Sequence, residues 1–128
     1  MRLITHNMLK CNVKGVEAGY PLKVLAEEVE ISESENPFTV ELMQNLLRKI
    51  DLAALKSAAT DLEMMEGLEE MNVDSKEEVA GNVELLQKMH HLLFEVHVET
   101  GVLTCPESGR EFKIESGIPN MLLHEDEV

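Results

Sequence analysis

The two cysteines of this chain stand near its opposite ends, Cys11 and Cys105, and the second opens a Cys-Pro-Glu-Ser-Gly turn. Short apolar runs flank that turn, Val102-Leu103 before it and Phe112 and Ile114 after it. A second turn at Ser116-Gly117 feeds Ile118-Pro119-Asn120-Met121-Leu122-Leu123. Each thiol has only the other as a partner within the chain. If the two ends meet, everything between them is an insertion. The chain then reads as β, helices, β, which makes an α+β protein. Residues 1–33 and 96–128 form a small antiparallel β domain, and residues 34–95 an inserted helical domain.

Local patterns fill in this frame. Leu3-Ile4 predicts a short strand at Arg2–Thr5, and Gly15 and Gly19 mark a loop over 12–20. Alternation from Pro21 to Ile31 predicts one or two half-buried strands. Ser34-Glu35-Asn36-Pro37 is a helix-start signal, with Pro at the first helical position. Phe38, Leu42, Leu46, Leu47 and Ile50 then recur at helical spacing, and Asp51 reads as the N-cap of a second helix through Leu62. The acidic, Met-rich stretch Glu63 to Asn72 reads as a solvated connector. Ser75-Lys76-Glu77-Glu78 fits a capping box, and Asn82 caps a helix from Val83 to about Phe94. Near Glu95 the period changes to strand, with a turn expected at Glu99-Thr100-Gly101.

Charge excludes several functions. Twenty-five acidic against 11 basic residues leave a formal net charge of −14. Nucleic-acid binding rests on neutralising phosphates with Lys and Arg, so direct RNA or DNA binding is not expected, nor is docking on an anionic membrane. A basic protein surface is the natural partner. Two widely separated cysteines do not make a secreted disulfide framework. No run approaches the ~18 apolar residues of a membrane helix, and an intracellular, soluble protein is expected.

The residues with chemistry to offer are few. A structural zinc site takes about four ligands, paired on turns. Cys105 stands on such a turn, but Ser108 follows where a second thiol would be, and Val16 follows Cys11. None of His6, His90, His91, His97 and His124 has the paired spacing that would complete a set. His90 and His91 point about 100° apart on a helix, so one is expected against the β domain and the other in water. The carboxylates occur in solvated runs, and no nucleophile with a local base is visible, so catalysis by this chain is not expected. Ile118–Leu123 stands out: Pro119 confines it to a sheet edge, yet it is too apolar for an edge facing water. Either the helices of the chain cover it or another protein adds a strand there.

MRLITHNMLKC at the start, Met89-His90-His91-Leu92-Leu93, CPESGR and SGIPNMLLHEDEV together resemble one family. It is the small eukaryotic activator subunit shared by tRNA, rRNA and protein (release factor) methyltransferases, the multifunctional methyltransferase subunit family. The resemblance spans the chain, densest at residues 1–11 and 89–124 and faint between 60 and 82. It implies a zinc-ribbon-like β domain and a non-catalytic subunit that heterodimerises with several alternative catalytic subunits. S-adenosylmethionine would sit in the partner, and the location would be cytoplasmic and nuclear. Fungal relatives carry four zinc-binding cysteines; only Cys11 and Cys105 match here, with Val16 and Ser108 at the other places, so zinc is not carried over. By position, partner binding falls to Ile118, Pro119, Asn120, Met121 and Leu122, supported by Ile4, Thr5, Asn7 and Met8. The rival from another class is a free-standing metal- or thiol-binding module built on Cys11 and Cys105.

Overall fold

The computed structural model describes residues 1–35, 37–69 and 71–127. Asn36 of the helix-start signal, Glu70 of the connector and Val128 of the tail lie outside the described residues. The order of elements is α1 (Leu3–Met8), β1 (Lys23–Ile31), α2 (Val40–Leu47), α3 (Leu52–Asp61), α4 (Lys76–Ala80), α5 (Val83–His90), a π-helical turn His91–Glu95, β2 (Val96–Thr104), β3 (Glu111–Glu115) and β4 (Ile118–Pro119). The four strands make one antiparallel sheet in the order β1-β2-β3-β4. Strands from before and after the helices therefore lie side by side, and the protein is α+β.

The start of the chain corrects the expected strand. Arg2 is strand-like for one step, bridging His97, and Met1 beside it anchors the end: its carbonyl accepts from Val98 N–H at 2.8 Å, and its ammonium donates to Val98 O at 2.7 Å and Gly117 O at 2.6 Å. The Arg2 carbonyl then accepts from Thr5 and His6 N–H, and a helix begins. Leu3, His6 and Asn7 are its buried residues. Their spacing is helical, but two of the three are polar, so an apolar pattern could not reveal it.

Caps set the helix boundaries. The first long helix does not start at Pro37; Thr39 takes extended backbone angles and its hydroxyl accepts from Leu42 N–H at 3.1 Å. Asp51 caps α3 as its sequence predicts, with Oδ1 accepting from Ala54 N–H at 3.0 Å, and Asn82 caps α5 through Leu85 N–H at 3.2 Å. Ser75 caps α4, but the return arm of the box goes elsewhere: the Glu78 carboxylate accepts from the Asn72 side chain. The connector is not simply solvated, because Leu68 and Met71 are 0% and 3% exposed and plug the helical core.

The expected turn at Glu99-Thr100-Gly101 is instead continuous strand within β2. Irregular pairing in β1 around Ala26–Val29 absorbs the mismatch there. Gly101 is needed for close approach, since a Cβ there would stand 2.4 Å from Leu25 O. The core has two clusters. One joins the helices around Met43, Leu55, Leu86, Met89 and Leu93, and also takes Leu3 and Val96. The other lies on the sheet's inner face, with Leu22, Val24, Val98, Leu103, Phe112, Ile114 and both cysteines. Of the pair His90-His91, one of which was expected against the β domain, His90 is buried edge-on to Phe38 and beside Phe94. His91 is partly exposed and its Nδ1 meets Glu95 Oε1 at 3.0 Å, which holds the Glu95 carboxyl below its ordinary range.

Candidate functional site

The last strand lies at the sheet edge. The Asn120 N–H reaches across to Lys113 O at 2.9 Å, so the residue before it, Pro119, turns its missing N–H away from the sheet, where no ladder bond is lost. The chain then bends, because Asn120 Oδ1 accepts from Leu122 N–H at 3.1 Å. This bend lifts Leu122 off the protein. It is 80% exposed and Ile118 is 70% exposed, whereas Met121 and Leu123 fold partly back on the β core. A groove of about 620 Å³ runs here, lined by Lys113, Glu115, Ile118, Pro119, Asn120, Met121 and Leu122. The helices do not cover it. Fully burying a Leu- or Ile-sized side chain is worth about 1.5–3 kcal/mol, so Ile118 and Leu122 are a standing drive to be covered.

The structure thus brings together the five candidates from Ile118 to Leu122. The N-terminal group is divided. Met1 ties the start of α1 to Gly117, just before β4. Met8 is 63% exposed, Thr5 is half-buried, and Ile4 packs on the helical core. Asn7 is buried. Its amide donates to Asp51 O and accepts from Asp51 N–H, both at 2.9 Å, and so clamps α1 onto the start of α3. Lys113 and Glu115, beside Ile118, were not singled out from sequence. The signal was available, because alternation with Phe112 and Ile114 turns both of them outward.

The two thiols lie at the other end of the β lobe, reduced and buried. The Cys105 sulfur accepts from Ser108 N–H at 3.3 Å, and Cys11 lies in the same core cluster. Burial pushes the Cys11 thiol up; for Cys105 burial pushes the same way, but bonds from Ser108, Glu107 and Cys11 outweigh it and bring that thiol down. A zinc ion does not fit this donor set. Where further thiolates would complete it stand Val16, an apolar side chain packed on the β core, and the Ser108 hydroxyl, which accepts from Arg110 N–H at 3.3 Å. Among the described residues no group of three or more His, Cys, Asp or Glu is arranged to hold a metal.

A family model described as Trm112p-like protein matches residues 2–117. The chain belongs to that family. Among Trm112p-like relatives, the Arabidopsis thaliana multifunctional methyltransferase subunit TRM112 homolog A is 45% identical over 130 residues, covering all of both chains. The TRM112-like subunit of Bos taurus is 44% identical, covering 100% of this chain and 98% of its own, and that of Saccharomyces cerevisiae 26%, covering 96% of each. A solved chain from the E. cuniculi Mtq2–Trm112 complex, described as responsible for methylation of the eRF1 termination factor, superposes with a TM-score of 0.63. It covers 95% of each chain at 20% identity and supports the fold of the Trm112p-like chain.

Proposed function

We propose that this chain is a non-catalytic activating and stabilising subunit of S-adenosylmethionine-dependent methyltransferases, and that it heterodimerises through the β4 edge. Membership in a family whose relatives are named multifunctional methyltransferase subunits supports the reading. The observation that carries it is the uncovered strand edge with Ile118 and Leu122 at 70% and 80% exposure. An apolar edge of this kind is an aggregation hazard in isolation and a docking site in a complex. The partners are several alternative catalytic subunits, acting on tRNA, rRNA and release factor, and the cofactor belongs to them. Their shared requirement is an apolar strip and a free sheet edge of their own, next to basic residues that suit a −14 chain. The β lobe, from residues 1–33 and 96–128, acts as a zinc-ribbon-like docking module without its metal. The helical lobe of residues 34–95 braces it, in the cytoplasm and the nucleus.

The test is co-expression with candidate methyltransferase catalytic subunits, comparing wild type with Ile118→Asp/Leu122→Asp. Both side chains are exposed, so the variant should fold with an unchanged melting curve. Wild type should recover soluble, active enzyme and the variant should lose most of it. A folded variant that still activates would move the interface away from β4, and a wild type that captures no methyltransferase would sink the activator reading.

A further inference from the structure

The buried thiols are not needed by the docking edge, and their surroundings are asymmetric. Cys11 begins the 12–20 loop, which closes on it through Cys11 N–H to Gly19 O at 2.9 Å. Cys105 begins the Pro106–Gly109 turn, closed by Gly109 N–H to Cys105 O at 3.0 Å. The two loops are clamped face to face. The Glu107 carboxylate accepts from Glu17 N–H at 3.0 Å and Ala18 N–H at 3.4 Å. Glu127 adds a second clamp, accepting Lys14 N–H on its carbonyl at 2.6 Å and Arg110 Nε on its carboxylate at 2.7 Å. These contacts hold together the two loops that carry Cys11 and Cys105, and both cysteines belong to one core cluster. Cys105 has the environment of a nucleophile, because its sulfur accepts from the Ser108 N–H at 3.3 Å at the start of a tight turn. Cys11, buried in the same core cluster on the facing loop, is placed to act as the resolving thiol. Both are buried, and their chain neighbours Asn12 on one side and Pro106 to Gly109 on the other are exposed.

We propose that Cys11 and Cys105 are a redox pair, converted by hydrogen peroxide into an intramolecular disulfide that staples the two ends of the β lobe. The Cys105 thiolate attacks one peroxide oxygen and the O–O bond breaks. Cys105 becomes a sulfenic acid, and the departing hydroxide takes a proton to leave as water. The Cys11 sulfur, giving up its proton, then attacks the Cys105 sulfur and forms the S–S bond. The sulfenic oxygen leaves as a second water. Two electrons pass from the thiol pair to the peroxide, and a dithiol reductant reverses the change.

The experiment treats the purified, reduced full chain with hydrogen peroxide at neutral pH, then denatures it in iodoacetamide for intact mass and peptide mapping. The expected product is a monomer lighter by two hydrogens, with neither cysteine alkylated, a Cys11–Cys105 linked peptide, and recovery of both thiols by dithiothreitol. Cys11→Ser should accumulate a dimedone-trappable sulfenic acid at Cys105, whereas Cys105→Ser should leave Cys11 fully alkylated. The urea midpoint should rise on oxidation in wild type and in neither variant. Two alkylated cysteines after peroxide would overturn the pairing. So would disulfide-linked dimers as the main product, or oxygen added to Cys105 while Cys11 stays alkylatable.

Discussion

His6 gives the sharpest check on the packing between α1 and the β lobe. Its ring is 0% exposed, Nε2 meets Leu22 O at 2.6 Å, and Nδ1 is buried without a hydrogen-bond partner. Burial is the main cause that lowers its pKa; the Leu22 bond and the Asp61 charge pull the other way and are weaker. The unfolded chain therefore takes up a proton at His6, near pH 6.5, before the folded chain does. Stability from this group is full well above pH 6.5 and falls as pH drops below it, until the folded-state pKa is reached. If the native ring stays neutral throughout, one proton costs about 1.4 kcal/mol between pH 7.5 and pH 5.5. With a urea m-value near 1.5 kcal/mol/M, that limit is a midpoint shift of about 1 M. His6→Gln keeps a donor for Leu22 O and removes the titration. Urea unfolding of both proteins at pH 7.5, 6.5 and 5.5 isolates His6, because the N-terminal amine and the carboxylates contribute equally to each. Identical slopes, or an NMR titration of His6 at or above the free value, would refute the reasoning.

Other changes test other joints. Gly101→Ala should cost roughly 3 kcal/mol by chemical denaturation, because its Cβ would strike Leu25 O at 2.4 Å and part β1 from β2; a loss under 0.5 kcal/mol would show that the strands can yield. Asn7→Ala removes both bonds to the Asp51 backbone and should cost about 1–3 kcal/mol. Asn7→Asp should restore only part of that, since it keeps the acceptor and loses the donor. Asp51→Ala should cost about 1 kcal/mol through the lost α3 cap, and thermal melts of equal midpoint would contradict it.

Much of the fold was legible because it rests on local chemistry. Asp51 and Asn82 are caps whose side-chain oxygens find N–H groups three residues on, and that spacing is written in the chain. The edge position of β4 followed from the missing N–H of Pro119 alone. What stayed hidden depends on distant partners. Arg2–Thr5 has strand-forming residues, but a helix wins because His6 and Asn7 find Leu22 and the Asp51 backbone. Thr100-Gly101 looks like a turn and is strand, because Gly101 is the concession that lets β1 approach. The burial of Asn7 was hidden for the same reason: its hydrogen-bond partner is 44 positions away. Within the candidate site, the apolar character of Ile118–Leu122 could be read directly. Its openness could not, since that depends on where the helices pack.

The adjacency of β1 and β2 in the sheet also fixes an order of events on the way to the native state. Their pairing joins Ile31 to Val96 and Lys23 to Thr104, across the whole helical insertion. Closing that long a loop by chance is entropically slow, whereas helix–helix contacts within the insertion are local and fast. On this reasoning the helices should form first and bring β1 and β2 together. Truncating Leu86 or Leu55 in the helical core should slow refolding, while truncating Ile114 in β3 should chiefly speed unfolding; stopped-flow chevrons with the reverse pattern would place the nucleus in the sheet. During synthesis, β1 has its strand partner only once residues up to Thr104 have emerged, and Glu27, Glu28 and Glu30 guard its apolar residues against aggregation in the interval.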